Sequence, residues 1–131
     1  LICSSCLAKT GTPMVGAYSA TKSAQDHIAR AMRAELRGSG VAISSVHPIG
    51  TATEFFERKT NETGRKPMSS PPKFFLQRPE RVAAAIVRRL RRDRGGEVWT
   101  NTTLRLGFAL FTAFPGFADW ALSRYMRGQK P

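Results

Sequence analysis

The sequence predicts an α/β fold built on a parallel sheet, and three stretches carry that expectation. Leu1-Ile2-Cys3-Ser4-Ser5 is short, apolar and serine-ended, and reads as the tail of a strand. From about Ala17 to Arg37, the residues Ala20, Ala24, Ile28, Ala31 and Leu36 recur at helical spacing, and Gly38 and Gly40 end the helix. Val41-Ala42-Ile43-Ser44-Ser45-Val46 is β-branched and bounded by Gly40 and Pro48, as a strand would be. Strand, helix and strand in succession make a βαβ unit, whose two strands run parallel. Ligands in such sheets bind outside the carboxyl ends of the strands. Ser5 and His47-Pro48 both fall at that end.

Composition bounds the rest. A chain of 131 residues suits one small domain, and an apolar fraction of 41% permits a core. No apolar run reaches the ~20 residues of a membrane span. The N-terminus has no Met and no basic region ahead of an apolar run, so it does not read as a signal peptide; it reads as the middle of a domain. The net charge of +12, from 21 basic and 9 acidic residues, attracts phosphates on a nucleotide, a nucleic acid or a lipid surface. Two cysteines are too few for a disulfide framework, and the cytoplasm is the expected location. Cys3 and Cys6 have redox or metal spacing, but loop-like residues follow and no other Cys exists. They read as small residues at a strand end, and no metal site is expected.

The helix opens on Tyr18-Ser19-Ala20-Thr21-Lys22. Residues four apart share a helix face, with Cβ atoms roughly 5–6 Å apart. A phenol normally holds its proton to about pH 10. An ammonium this close favours the phenolate, which makes Tyr18 a proton donor usable near neutrality. Ser5 precedes Tyr18 by thirteen residues, and Gly11, Pro13 and Gly16 break up the loop between them. Hydroxyl, phenol and ammonium together can bind a carbonyl oxygen and exchange a proton with it. In the loop, Lys9 is expected to be solvated, as are Arg30, Arg33 and Arg37 on the helix. His27 reads as a helix-surface residue.

Ile2-Cys3-Ser4-Ser5, the turn-rich segment Gly11 to Gly16, and Ala17-Tyr18-Ser19-Ala20-Thr21-Lys22-Ser23-Ala24 resemble the active-site segment of the short-chain dehydrogenase/reductases. His47-Pro48-Ile49-Gly50-Thr51-Ala52-Thr53 resembles that family's Pro-Gly-x-Val-x-Thr segment beside the nicotinamide, with Ile49 standing where the family has Gly. The resemblance implies Ser5, Tyr18 and Lys22 as catalytic residues. It implies Tyr18, Lys22, Pro48, Thr51 and Thr53 as cofactor contacts, the cofactor being NAD or NADP, with NADP favoured slightly by the basic charge. Residues 54–77 correspond to the family's substrate lid. There Phe55 and Phe56, with Ser5, are the expected substrate contacts, and an apolar carbonyl or alcohol is the expected substrate. The family also packs the Tyr-Lys helix across a subunit interface, which implies a homo-oligomer through residues 17–37.

Farther on, Arg78-Pro79-Glu80-Arg81 opens a helix, with Pro79 at its first position and Glu80 favourable to its dipole. Val82, Ala85, Ile86 and Leu90 mark its buried face. Its run of arginines reads as a solvated face, with an acidic membrane surface as the alternative and nucleic acid not expected. Glu97-Val98-Trp99-Thr100 is a short strand. From Leu104 to Met126 runs an apolar helical segment broken at Pro115-Gly116, each half too short to span a bilayer. With Arg105, Arg124, Arg127 and Lys130 as anchors, it suits a sheet, a subunit or a peripheral membrane contact. The chain lacks the glycine-rich turn that seats a pyrophosphate, and the Asn of the family's tetrad lies upstream of the matching Ser. The expectation is therefore the C-terminal half of a Rossmann-like, doubly wound parallel sheet in residues 1–103, with an amphipathic helical extension in 104–131. The expected activity is alcohol–ketone oxidoreduction in a whole enzyme of which this chain is a fragment. The competing expectation is a catalytically inactive basic module that binds a membrane surface or a partner chain through its C-terminal helices.

Overall fold

The computed structural model describes residues 1–51, 76–92 and 94–128. In chain order they form strand β1 (Ile2–Cys3), a 3₁₀ turn (Cys6–Lys9), helix α1 (Gly16–Glu35), β2 (Ser44–His47), α2 (Pro79–Leu90), β3 (Gly96–Trp99), α3 (Thr102–Ala113) and α4 (Pro115–Arg127). The strands make one parallel sheet in the order β1-β2-β3. Cys3 pairs with Val46, and Val46 with Val98. This is the expected α/β architecture: part of a Rossmann-like sheet with helices attached.

β2 lies in the middle and is buried along its length. Side chains alternate across a strand. Val46 therefore meets the apolar layer, while Ser45 and His47 share the opposite face. β3 approaches the segment before β2 closely: a Cβ on Gly95 would stand 2.5 Å from the Ile43 carbonyl oxygen. Only glycine fits there, and the adjacent Gly96 N–H donates to that carbonyl at 2.9 Å. Asn101 caps α3 by accepting from the Leu104 N–H. Pro115 opens α4 at a position where its missing N–H costs nothing.

Helix α1 is rolled the other way from its apolar pattern. Of the residues at helical spacing, Ala20, Ala24, Ile28 and Ala31 face outward, Ile28 being 54% exposed, while Leu36 is half-buried. The buried positions are Ser19, Asp26 and Ala29, with Lys22 and Arg33 half-buried beside them. The reason is the surface α1 meets, which offers serines rather than apolar side chains. The Ser4 hydroxyl donates to the Lys22 carbonyl at 2.8 Å. Arg33 donates to the Ile43 carbonyl at 3.2 Å and the Ser45 hydroxyl at 3.3 Å, so it is not on the solvated face. On α2, Leu90 is exposed rather than buried. Arg89 takes the inward place and donates to the Glu97 carbonyl at 3.0 Å.

The C-terminal helices reach the sheet through Phe108, which sits 6.2 Å from Trp99 between ring centres, and through Thr112, whose hydroxyl lies 3.0 Å from the Lys9 carbonyl oxygen. Their other side is open: Leu106, Leu110, Phe114, Phe117 and Trp120 are exposed. Among the described residues, no helix is long and apolar enough to cross a membrane.

Candidate active site

The catalytic candidates sit where β1 ends and α1 begins. Tyr18 and Lys22 are on the first turns of α1, and both are half-buried. The Lys22 ammonium lies over the Tyr18 ring, 5.8 Å from its centre. It also donates to the Cys3 carbonyl at 3.0 Å and the Gln25 side chain at 3.1 Å. An ammonium has three N–H donors, and two of them have these partners among the described residues. The bond to Cys3 ties the pair to the strand end that carries Ser5. Ser5 is buried, and its hydroxyl oxygen accepts from the Leu7 N–H at 3.2 Å while opening the 3₁₀ turn. Accepting there leaves the hydroxyl its own proton to donate.

The segment after β2 meets the same end of the sheet. The Cys6 N–H donates to the Pro48 carbonyl at 3.1 Å, so Pro48 lies beside the residue that follows Ser5. Thr51 turns its hydroxyl back onto the Ile49 carbonyl at 2.8 Å. Gln77 clamps the segment from the side: its backbone N–H donates to Gly50 and its amide to Ile49. Gln77 went unnoticed in the sequence, where nothing marks it apart from its neighbours. Thr53, Phe55 and Phe56 lie outside the described residues.

Beneath this surface is a buried polar cluster that the sequence reading missed. Lys9 is inside, with its ammonium 2.7 Å from a carboxylate oxygen of Asp26 and 2.7 Å from one of Glu97. The Trp99 indole N–H donates to the other Glu97 oxygen at 2.9 Å. Burial pushes the Glu97 carboxyl up, but the Lys9 and Trp99 hydrogen bonds and the Lys9 charge outweigh it and hold it down at about 2. His47 is fully buried and stacked on Trp99, 4.8 Å between ring centres. Desolvation lowers its basicity, against the opposing pull of the Ser5 carbonyl and the Asp26 charge. Asp26, His47 and Glu97 each place a donor atom within 4.8 Å of the others, but the Lys9 ammonium is already the cation between the two carboxylates. One signal for this cluster was available. Lys22, Asp26, Ala29 and Arg33 follow one another at helical spacing on a single face.

The two cysteines are free; Cys3 is exposed and Cys6 buried. Burial raises the Cys6 thiol to about 11, which keeps it protonated and unreactive at neutral pH.

A phenol, an ammonium and a serine-bearing strand end at the carboxyl edge of a parallel sheet suit proton exchange with a carbonyl oxygen. Residues 1–64 match the family described as short chain dehydrogenase. A glycine betaine reductase of Emericella nidulans is 33% identical over 79 residues, which are 60% of this chain and 6% of the reductase. A crystal structure of a short chain dehydrogenase from Mycobacterium paratuberculosis bound to NAD shares the fold, with a TM-score of 0.53 and 21% identity. That match covers 73% of this chain and 41% of the solved one, so the chain spans under half the length of either relative.

Proposed function

We propose that this chain, a member of the short-chain dehydrogenase family over residues 1–64, supplies the proton-transfer half of an NAD- or NADP-dependent oxidoreductase that interconverts an alcohol and a ketone. The observation that carries the reading is the Lys22 ammonium set over the Tyr18 ring beside the strand end that bears Ser5.

In the reducing direction Ser5 donates a hydrogen bond to the substrate oxygen and fixes the carbonyl. Tyr18 gives its proton to that oxygen as the carbonyl carbon takes up hydride, and the product is the alcohol. Lys22 steadies the phenolate left behind, and solvent restores the proton. In the oxidising direction every transfer reverses. The hydride comes from, or returns to, a bound nicotinamide. The residues fit the nicotinamide-ribose end of that cofactor: Lys22 offers its ammonium, and Pro48 and Thr51 stand at the same sheet end, with Thr53 two residues on. The basic charge favours NADP. Phe55 and Phe56 in the lid segment favour an apolar carbonyl or alcohol as substrate.

The same reading includes two contacts. A second copy of the chain covers the outward stripe Ala20, Ala24, Ile28 and Ala31 on α1. An anionic lipid surface meets α4, where Phe117, Trp120, Arg124 and Arg127 follow one another on one exposed face. Titration of the protein with NADH and with NADPH, followed by nicotinamide absorbance against a panel of apolar ketones, tests the enzymatic reading. Turnover with either cofactor supports it. Cofactor binding with no turnover on any carbonyl would remove it.

A further inference from the structure

His47 stands between the buried cluster and Ser5, and its partners fix its proton. Its Nδ1 lies 3.1 Å from the Ser5 carbonyl oxygen. A carbonyl can only accept, so Nδ1 carries the hydrogen. Its Nε2 lies 3.2 Å from the Ser45 hydroxyl. That hydroxyl accepts from the Arg33 guanidinium at 3.3 Å, which leaves its proton for Nε2. The donors therefore run one way: Arg33 to Ser45, Ser45 to His47, and His47 to the carbonyl of Ser5. Asp26 Oδ1 also lies 3.3 Å from Nε2. The remaining ionic groups around the ring are Lys9 on the 3₁₀ turn and Glu97 on β3, with the one ammonium paired to both the Asp26 and Glu97 carboxylates. Trp99 closes the ring's face.

We infer that His47 is a positioning residue for the proposed reaction: held in its Nδ1–H form by Arg33 and Ser45, it pins the backbone carbonyl of Ser5 and so aims the Ser5 hydroxyl at the substrate oxygen. The inference rests on the oxidoreductase reading for its catalytic consequence, but not for the hydrogen-bond direction. β1 is only two residues long, and the 3₁₀ turn starts directly after Ser5. The backbone N–H groups of Ser4 and Cys6, on either side of Ser5, donate to the carbonyls of Val46 at 2.9 Å and Pro48 at 3.1 Å. The His47 bond adds a side-chain tie from Ser5 itself to β2, the central strand.

Two variants and one spectrum test this. In His47→Asn the side-chain amide N–H falls near the place of Nδ1 and keeps the donor to Ser5. In His47→Leu the volume is kept and the donor is lost. A misplaced reacting group costs ~10²-fold in rate. The expected result is that kcat falls by about that factor in His47→Leu, with KM for the cofactor unchanged, while His47→Asn stays within a few-fold of the parent. Equal kcat in the two variants, both folded, overturns the inference. Nitrogen NMR of histidine-labelled protein reads the tautomer directly and needs no activity. The Nδ1–H form with an unprotonated Nε2 supports the inference, and the Nε2–H form overturns it even if His47→Leu does not fold. Should no cofactor give turnover, the NMR result alone decides whether His47 holds Ser5.

Discussion

Glu97 shows how much of this molecule depends on single charged residues. Its carboxyl is held at about 2 against an ordinary 4.5, so its ionised form is favoured by folding. A group depressed in this way stabilises the fold above its unfolded value and stops doing so as pH falls through its folded one. The difference of 2.5 units is worth about 3 kcal/mol at most. His47, whose basicity is also lowered by burial, adds a loss in the same direction that begins as pH falls below 6.5. Stability to urea should therefore decline in two stages on acidification, one below pH 6.5 and one between about 4.5 and 2. Glu97→Gln should flatten the lower stage; an unchanged profile in that variant would contradict the assignment. The Tyr18–Lys22 pair was legible in the sequence because it is local, four residues on one helix. Lys9 was read as solvated because its partners, Asp26 and Glu97, stand 17 and 88 residues away, and no local pattern links them.

The elements themselves were legible to within a few residues. Gly38 and Gly40, Pro79, and the Pro115-Gly116 break all mark boundaries that the fold respects. The orientation of α1 was not. Helical spacing gives an apolar stripe but not what it meets: the surface beneath α1 presents Ser4, Ser45 and the Ile43 carbonyl, and a polar helix face satisfies them. The strand after α1 also begins three residues later than its β-branched run suggests, at Ser44, where the pairing with β3 starts through the Gly96 N–H bond to the Ile43 carbonyl. With its small apolar face outward, α1 should seat a second copy of the chain. Ile28→Glu or Ala24→Glu should reduce the mass seen by light scattering from that of an oligomer to that of one chain. A parent protein already running as one chain would contradict it.

Over the whole molecule, the net charge of +12 and the aromatic–arginine stripe on α4 should give binding to anionic vesicles that weakens as salt rises. Retention of binding in a Trp120→Ala, Arg124→Ala double variant would show that the stripe is not the contact. The fold class and the resemblance were readable from motifs at the two ends of one βαβ unit. The buried cluster that supports those motifs was not, since it is assembled from four separate elements. The proposed chemistry depends above all on Tyr18. Tyr18→Phe keeps the ring under the Lys22 ammonium and removes only the transferable proton. Its turnover should fall by at least ~10²-fold. Turnover within a few-fold of the parent would contradict the assignment of Tyr18 as the proton donor.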